Sequence, residues 1–184
     1  LRRRLILDGH EPGSLAYSMS RLEHAARAVR DQLSSDTWAV FSAVDRAMRT
    51  ARLSRLPGAL GDAQAAVLAG MLTLSGLSAE SMVHDAGWYL TDIGKRVERG
   101  QNLTRLLAAT LVADVEAHSG RAIIESVLAT CESSVTYRRR NRGRVHVEAV
   151  LSLLLFDETN PRSLVFALDR LRADLNALPD TSGA

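Results

Sequence analysis

Cysteine occurs once in 184 residues, at Cys131, which excludes an intrachain disulfide and any cysteine-rich metal site. That scarcity suits a reducing compartment, and a cytoplasmic location is the expectation. Lysine is as scarce: Lys95 stands alone among 23 basic residues, so nearly every cation is a guanidinium able to grip a carboxylate or phosphate with two parallel hydrogen bonds. The four prolines, Pro12, Pro57, Pro161 and Pro179, read as helix punctuation and leave long stretches uninterrupted. Unbroken apolar runs are short. That from Leu153 to Phe156 falls far below the roughly 20 residues of a bilayer span, so no span is expected. The first residues also lack a signal-peptide hydrophobic stretch. No glycine-rich phosphate loop, zinc-binding HExxH or nucleophile-elbow GxSxG occurs. The five histidines show no pairing four residues apart. Neither metal nor cofactor is expected, and Cys131, set among apolar helix positions, reads as an inert core thiol rather than a nucleophile.

What is present is helical periodicity. With 46% hydrophobic and 24% charged residues the composition is globular, and apolar residues recur at three- and four-residue spacing. Ser14 is placed to cap a helix running to about Leu33, and Asp36 to cap a second that ends before Pro57. A third opens at Gly61-Asp62 and runs towards Met82; a fourth and longest extends from about Asp85 to Val112. Ser119-Gly120 reads as a loop into a fifth, about Arg121 to Arg140, followed by a short buried helix at Val147 to Phe156 and a last from Pro161 to Leu178. The expected fold is all-α, a bundle of about seven helices in a single domain. One echo adds to this: Pro12-Gly13-Ser14-Leu15-Ala16-Tyr17 recurs 149 residues later as Pro161-Arg162-Ser163-Leu164-Val165-Phe166, with Arg21-Leu22 matched by Arg170-Leu171. Two related halves are the implication.

Charge is concentrated. Eight arginines sit in two short clusters, Arg2 to Arg4 and Arg138, Arg139, Arg140, Arg142 and Arg144; the remaining 15 basic residues are outnumbered by 21 acidic ones. The second cluster follows Tyr137, and phosphate neutralisation with base stacking is one reading. A net charge of only +2 places nucleic acid below a solvated helix end or a docking surface for an acidic partner. In the fourth helix, Tyr89, Ile93, Arg96, Gly100, Leu103 and Leu107 share one stripe, so Arg96 sits among apolar neighbours and needs a partner if buried. Asp92 is spaced to serve both Arg96 and Arg99, while Glu98 points nearly opposite the stripe.

Around these residues the sequence resembles the alpha-E domain, a bacterial helical family named for an ER motif, here Glu98-Arg99. The likeness is carried by Trp88 through Gly94-Lys95-Arg96-Val97-Glu98-Arg99 to Thr104-Arg105-Leu106-Leu107. Lys95 takes the place where the family's commonest spelling has its first arginine. Further similar blocks are Ala28 to Trp38, Tyr137 to Arg140, and Asp157-Glu158-Thr159-Asn160-Pro161-Arg162-Ser163-Leu164.

The resemblance implies a C-terminal fragment of a longer domain or fusion protein. It also implies an accessory role beside a circularly permuted ATP-grasp ligase, in the same chain or a neighbour, with transglutaminase-like proteins nearby. The expected function is a noncatalytic interaction module of a peptide or amino-acid ligase system. Motif and candidate binding positions are Arg96, Glu98, Arg99, Arg105, Arg138, Arg139, Arg140 and Arg142. Two alternatives stay open: an enzyme with an inter-helix cleft using Glu98 as acid or base and Arg99 to orient a carboxylate, or an anion- or nucleic-acid-binding module through Arg138 to Arg144. An exposed apolar face could also make the chain a homodimer.

Overall fold

The computed structural model describes residues 1–112, 117–141 and 145–179. Among them are nine helices and no strand: α1 Arg2–Leu7, α2 Leu15–Ala28, α3 Ser35–Leu53, α4 Ala59–Glu80, α5 Ala86–Leu107, α6 Ala117–Thr130, α7 Ser134–Arg140, α8 Val147–Leu151 and α9 Leu164–Ala177. Wider π-type turns carry α5 on through Ala108–Val112 and α8 through Ser152–Phe156. The all-α expectation holds. The chain forms two compact units, Leu1–Met82 and Val83–Ala184, each with its own core.

In the first unit, Ile6 and Leu7 of α1 join Ala16, Val44, Met48, Ala51, Ala63 and Val67 in one cluster. α3 and α4 approach closely at Gly70, where an added Cβ would lie 2.7 Å from Val44 Cγ2 and 3.2 Å from Val40 Cγ1. The gap in side-chain volume is what lets the two backbones meet. By length and mean hydropathy α4 could cross a bilayer, contrary to the expectation of no such helix, although glycine, threonine and serine interrupt its apolar runs. Here its small and branched residues Ala63, Val67 and Gly70 are buried.

Several boundaries differ from the sequence reading. The second long helix is capped by Ser34, whose side chain accepts from the Thr37 amide at 3.4 Å, and Asp36 lies in its first turn instead. The first stops at Ala28, with a 3₁₀ turn at Arg30–Gln32 replacing its expected last turn. Gly120 lies within α6 rather than in a loop. The expected helix 121–140 is two helices, because Glu132 takes φ 50°, the Ser133 amide bonds the Leu128 carbonyl at 2.8 Å, and the Glu132 amide bonds Ala129 at 3.0 Å. This closure normally recruits glycine, and with glutamate in its place no stop signal is legible.

The repeated segment is real structure in both units. Ser14 and Ser163, each 0% exposed, accept from the Tyr17 and Phe166 amides at 3.1 Å. Their hydroxyls donate to the carbonyls of Asp8 and Asp157. Each of those aspartates accepts in turn from the amide two residues on, His10 at 2.9 Å and Thr159 at 3.0 Å. One buried hydroxyl thus satisfies a helix N-terminus and the preceding turn at once.

The first arginine cluster, though exposed, is engaged by partners within the first unit. Arg2 donates to Gln64 at 3.1 Å and Arg4 pairs with Glu11. Arg3 reaches the carbonyls of Ala51, Arg52 and Ser54 at the end of α3, where a cation suits the helix dipole.

Candidate functional site

α5 begins where Asp85 accepts the Trp88 amide at 3.1 Å, and with no proline behind it the helix persists for several turns. His84 stacks on Trp88 with ring centroids 3.9 Å apart. Beyond this start the helix presents two different polar faces.

One face packs on α9. Arg96 Nε donates to Asp92 Oδ2 at 2.9 Å and its second nitrogen to Asp92 Oδ1 at 3.1 Å, a two-pronged grip on a carboxylate that is 6% exposed. The guanidinium lies 5.9 Å from the Phe166 ring centroid. Asp174, from α9 and 1% exposed, also faces Asp92. Burial works against charge on Asp92, but the Arg96 bond and charge outweigh it and hold the carboxyl below its usual range. Asp174 goes the other way: burial, then the hydrogen bond and charge of Asp92, push it up. Asp174 Oδ1 lies 3.8 Å from the Arg170 guanidinium, and its buried Oδ2 has no hydrogen-bond partner among the described residues. The sequence reading placed Arg96 among apolar neighbours with Asp92 spaced to serve it, and the structure shows that intrahelical pair. It also gave Asp92 to Arg99 as well; the structure gives Asp92 to Arg96.

The other face lines a cavity of about 540 Å³ within the second unit. From α5 come Lys95, Glu98, Arg99, Asn102 and the apolar Leu103 and Leu106; Thr130 and Cys131 come from the end of α6, and Arg162 from the turn before α9. The α5 residues recur at three and four positions, a helical stripe that adjoins the one Arg96 occupies and shares Leu103 with it. Arg99 is half-buried and donates to the Pro161 carbonyl at 3.3 Å. It belongs to no salt bridge among the described residues. Burial first, then the like charges of Arg162 and Arg96, lower its pKa, signs of a cation short of counter-charge. Arg162 is held by Glu132, the residue in the left-handed conformation, so that strained cap positions a cavity cation. The Cys131 thiol is raised by burial, with Arg162 drawing it partly back. Glu98 is exposed.

The three positions that the motif spells, Lys95, Glu98 and Arg99, therefore meet in one place. Over its whole length, residues 1–184, the chain matches Alpha-E, "a predicted alpha-helical domain with a conserved ER motif". The chain belongs to the Alpha-E family. It is 55% identical over 185 residues to uncharacterized proteins of Mycobacterium bovis and of Mycobacterium tuberculosis strain CDC 1551, covering 98% of this chain and 21% of each relative. The chain thus spans about a fifth of the length of the curated relatives it matches. No solved structure matches it.

The other candidate residues of this Alpha-E chain lie elsewhere. Arg105 is exposed on α5 and does not line the cavity. Arg138 and Arg139 are exposed in the last turn of α7, while Arg140 pairs with Asp157 and donates to Thr159 at 3.0 Å. Arg142 lies outside the described residues. Among those described, no group of three metal-ligating side chains occurs. Arg162, Asn102 and Asp174 were missed: Arg162 was visible inside a family block, but nothing in the sequence joins the turn before α9 to a helix some 60 residues earlier. Asp174 carried no signal beyond its spacing from Arg170.

Proposed function

We propose that this chain is a noncatalytic helical module of an ATP-grasp-type peptide or amino-acid ligase system. In this reading it binds the ligase and presents the Glu98–Arg99 cavity to an anionic group of the material the ligase works on. The observation that carries the reading is that Lys95, Glu98 and Arg99 line one cavity, Arg99 with no carboxylate partner among the described residues. An arginine drawn partly out of water needs counter-charge, and an incoming anion supplies it. Exposed Arg138 and Arg139 add a separate cationic surface suited to an acidic stretch of the partner.

Titrating the chain into the ATP-grasp protein encoded beside or fused to it, by calorimetry, tests the proposal. Association at micromolar concentration is expected, weakened by Arg138→Glu with Arg139→Glu. Absence of any heat at high micromolar concentration would remove the docking role.

A further inference from the structure

We infer that the ER cavity is a receptor for a carboxylate, that of a free amino acid or of a peptide end, with Arg99 meeting the carboxylate and Glu98 favouring ligands that carry an ammonium beside it. The biological sense of this site rests on the reading above, but the binding itself is a property of the isolated chain. Four features of the cavity point to this chemistry.

Its volume of about 540 Å³ matches a small organic ligand. Arg99 supplies a planar fork with one weak carbonyl contact, and the crowding of Arg96 and Arg162 around it is relieved by one incoming negative charge. Arg162 is already held by Glu132, and Glu98 adds a second carboxylate to the surroundings. A phosphate dianion would meet both negative groups, whereas a monovalent carboxylate with an adjoining ammonium finds Arg99 for one end and Glu98 for the other. Leu103 and Leu106 give the ligand an apolar wall, which a side chain can use and an inorganic ion cannot.

Cys131 makes the site readable, because the chain's single thiol lines the same cavity. Its alkylation by neutral iodoacetamide, followed by mass spectrometry at constant ionic strength, is measured with alanine, N-acetylalanine, alaninamide or inorganic phosphate present. Alanine is expected to slow alkylation, and Arg99→Gln to weaken that protection about tenfold, the loss of a charge-assisted pair. Protection by alanine above N-acetylalanine identifies a free amino acid as the ligand; equal protection identifies a peptide end. Glu98→Gln narrows the difference in the first case. Protection by alaninamide or phosphate at the level of alanine, no protection by either carboxylate, or protection unchanged in Arg99→Gln would overturn the inference. Calorimetric titration of alanine into the chain reads the same event without the thiol, and circular dichroism verifies that each variant is folded. Docking of the ligase without carboxylate binding leaves the proposed module and removes this site; carboxylate binding without docking does the reverse.

Discussion

At the residue scale the most consequential groups are two buried carboxyls that face each other, Asp92 and Asp174. Asp92 and Asp174 have opposite shifts from the ordinary value of 3.8, so their contributions to stability run oppositely with pH. Asp92, lowered in the folded state, contributes stability that is present above its unfolded value and lost as pH falls through the folded one. Asp174, raised, favours the fold at low pH and loses that contribution as pH rises from the unfolded value through the folded one. Asn at 174 offers a donor towards Asp92 without the titration. Asp174→Asn is therefore expected to equal or exceed the parent in urea midpoint at neutral pH, with the advantage shrinking on acidification. Asp92→Asn leaves Arg96 without its carboxylate and is expected to cost about 2 kcal/mol at neutral pH. Urea titrations at a series of pH values check both; a destabilised Asp174→Asn at neutral pH would mean that Asp174 is ionised in the fold.

Elements were legible to the extent that local chemistry sets them. Ser14 was recognisable as a cap because a short oxygen-bearing side chain before an apolar-periodic run satisfies amides that no helix satisfies by itself, and Asp85, read only as the start of the fourth helix, caps it in the same way. The repeat was legible for the same reason, and the structure adds that each buried serine also serves the turn before it. Ser14→Ala and Ser163→Ala should each cost about 2 kcal/mol, since a helix amide and a carbonyl lose one shared partner. Thermal and urea unfolding of the two variants measure it, and a loss below about 0.5 kcal/mol in either would show solvent replacing the hydroxyl. Where elements were misread, the deciding interaction was unusual or distant. The α6–α7 break depends on a glutamate adopting a glycine conformation, which its pair with Arg162, 30 residues away, helps hold. α1, only six residues long, is too short to stand by periodicity, and its Ile6 and Leu7 are buried by the rest of the first unit.

For the molecule as a whole, charge separates the readings that composition left open. Of the Tyr137–Arg144 run, Arg138 and Arg139 are exposed, Arg140 is occupied by Asp157, and the carboxyl of Asp157 is held low by Thr159 and then by Arg140. A shift assay with single- and double-stranded oligonucleotides should accordingly show only weak binding at low salt, with a log–log salt slope no steeper than about −4, as for at most four phosphate contacts once Arg140 is occupied. A slope of about −5 or steeper would restore the run as a nucleic-acid surface. The sequence by itself determined that this is an all-helical chain, where most helices start, that one corner occurs twice, and that Glu98-Arg99 is the family's signature. Those follow from periodicity, caps and short motifs, which are local. Only the tertiary structure decided that Arg96 turns to Asp92 and Asp174 while Arg99, three residues on, turns to Arg162 and Cys131. Three residues separate the two arginines by only about 60° around the helix, so they sit on adjoining strips of its surface, and what waits at each strip is set by helix packing between residues far apart in the chain.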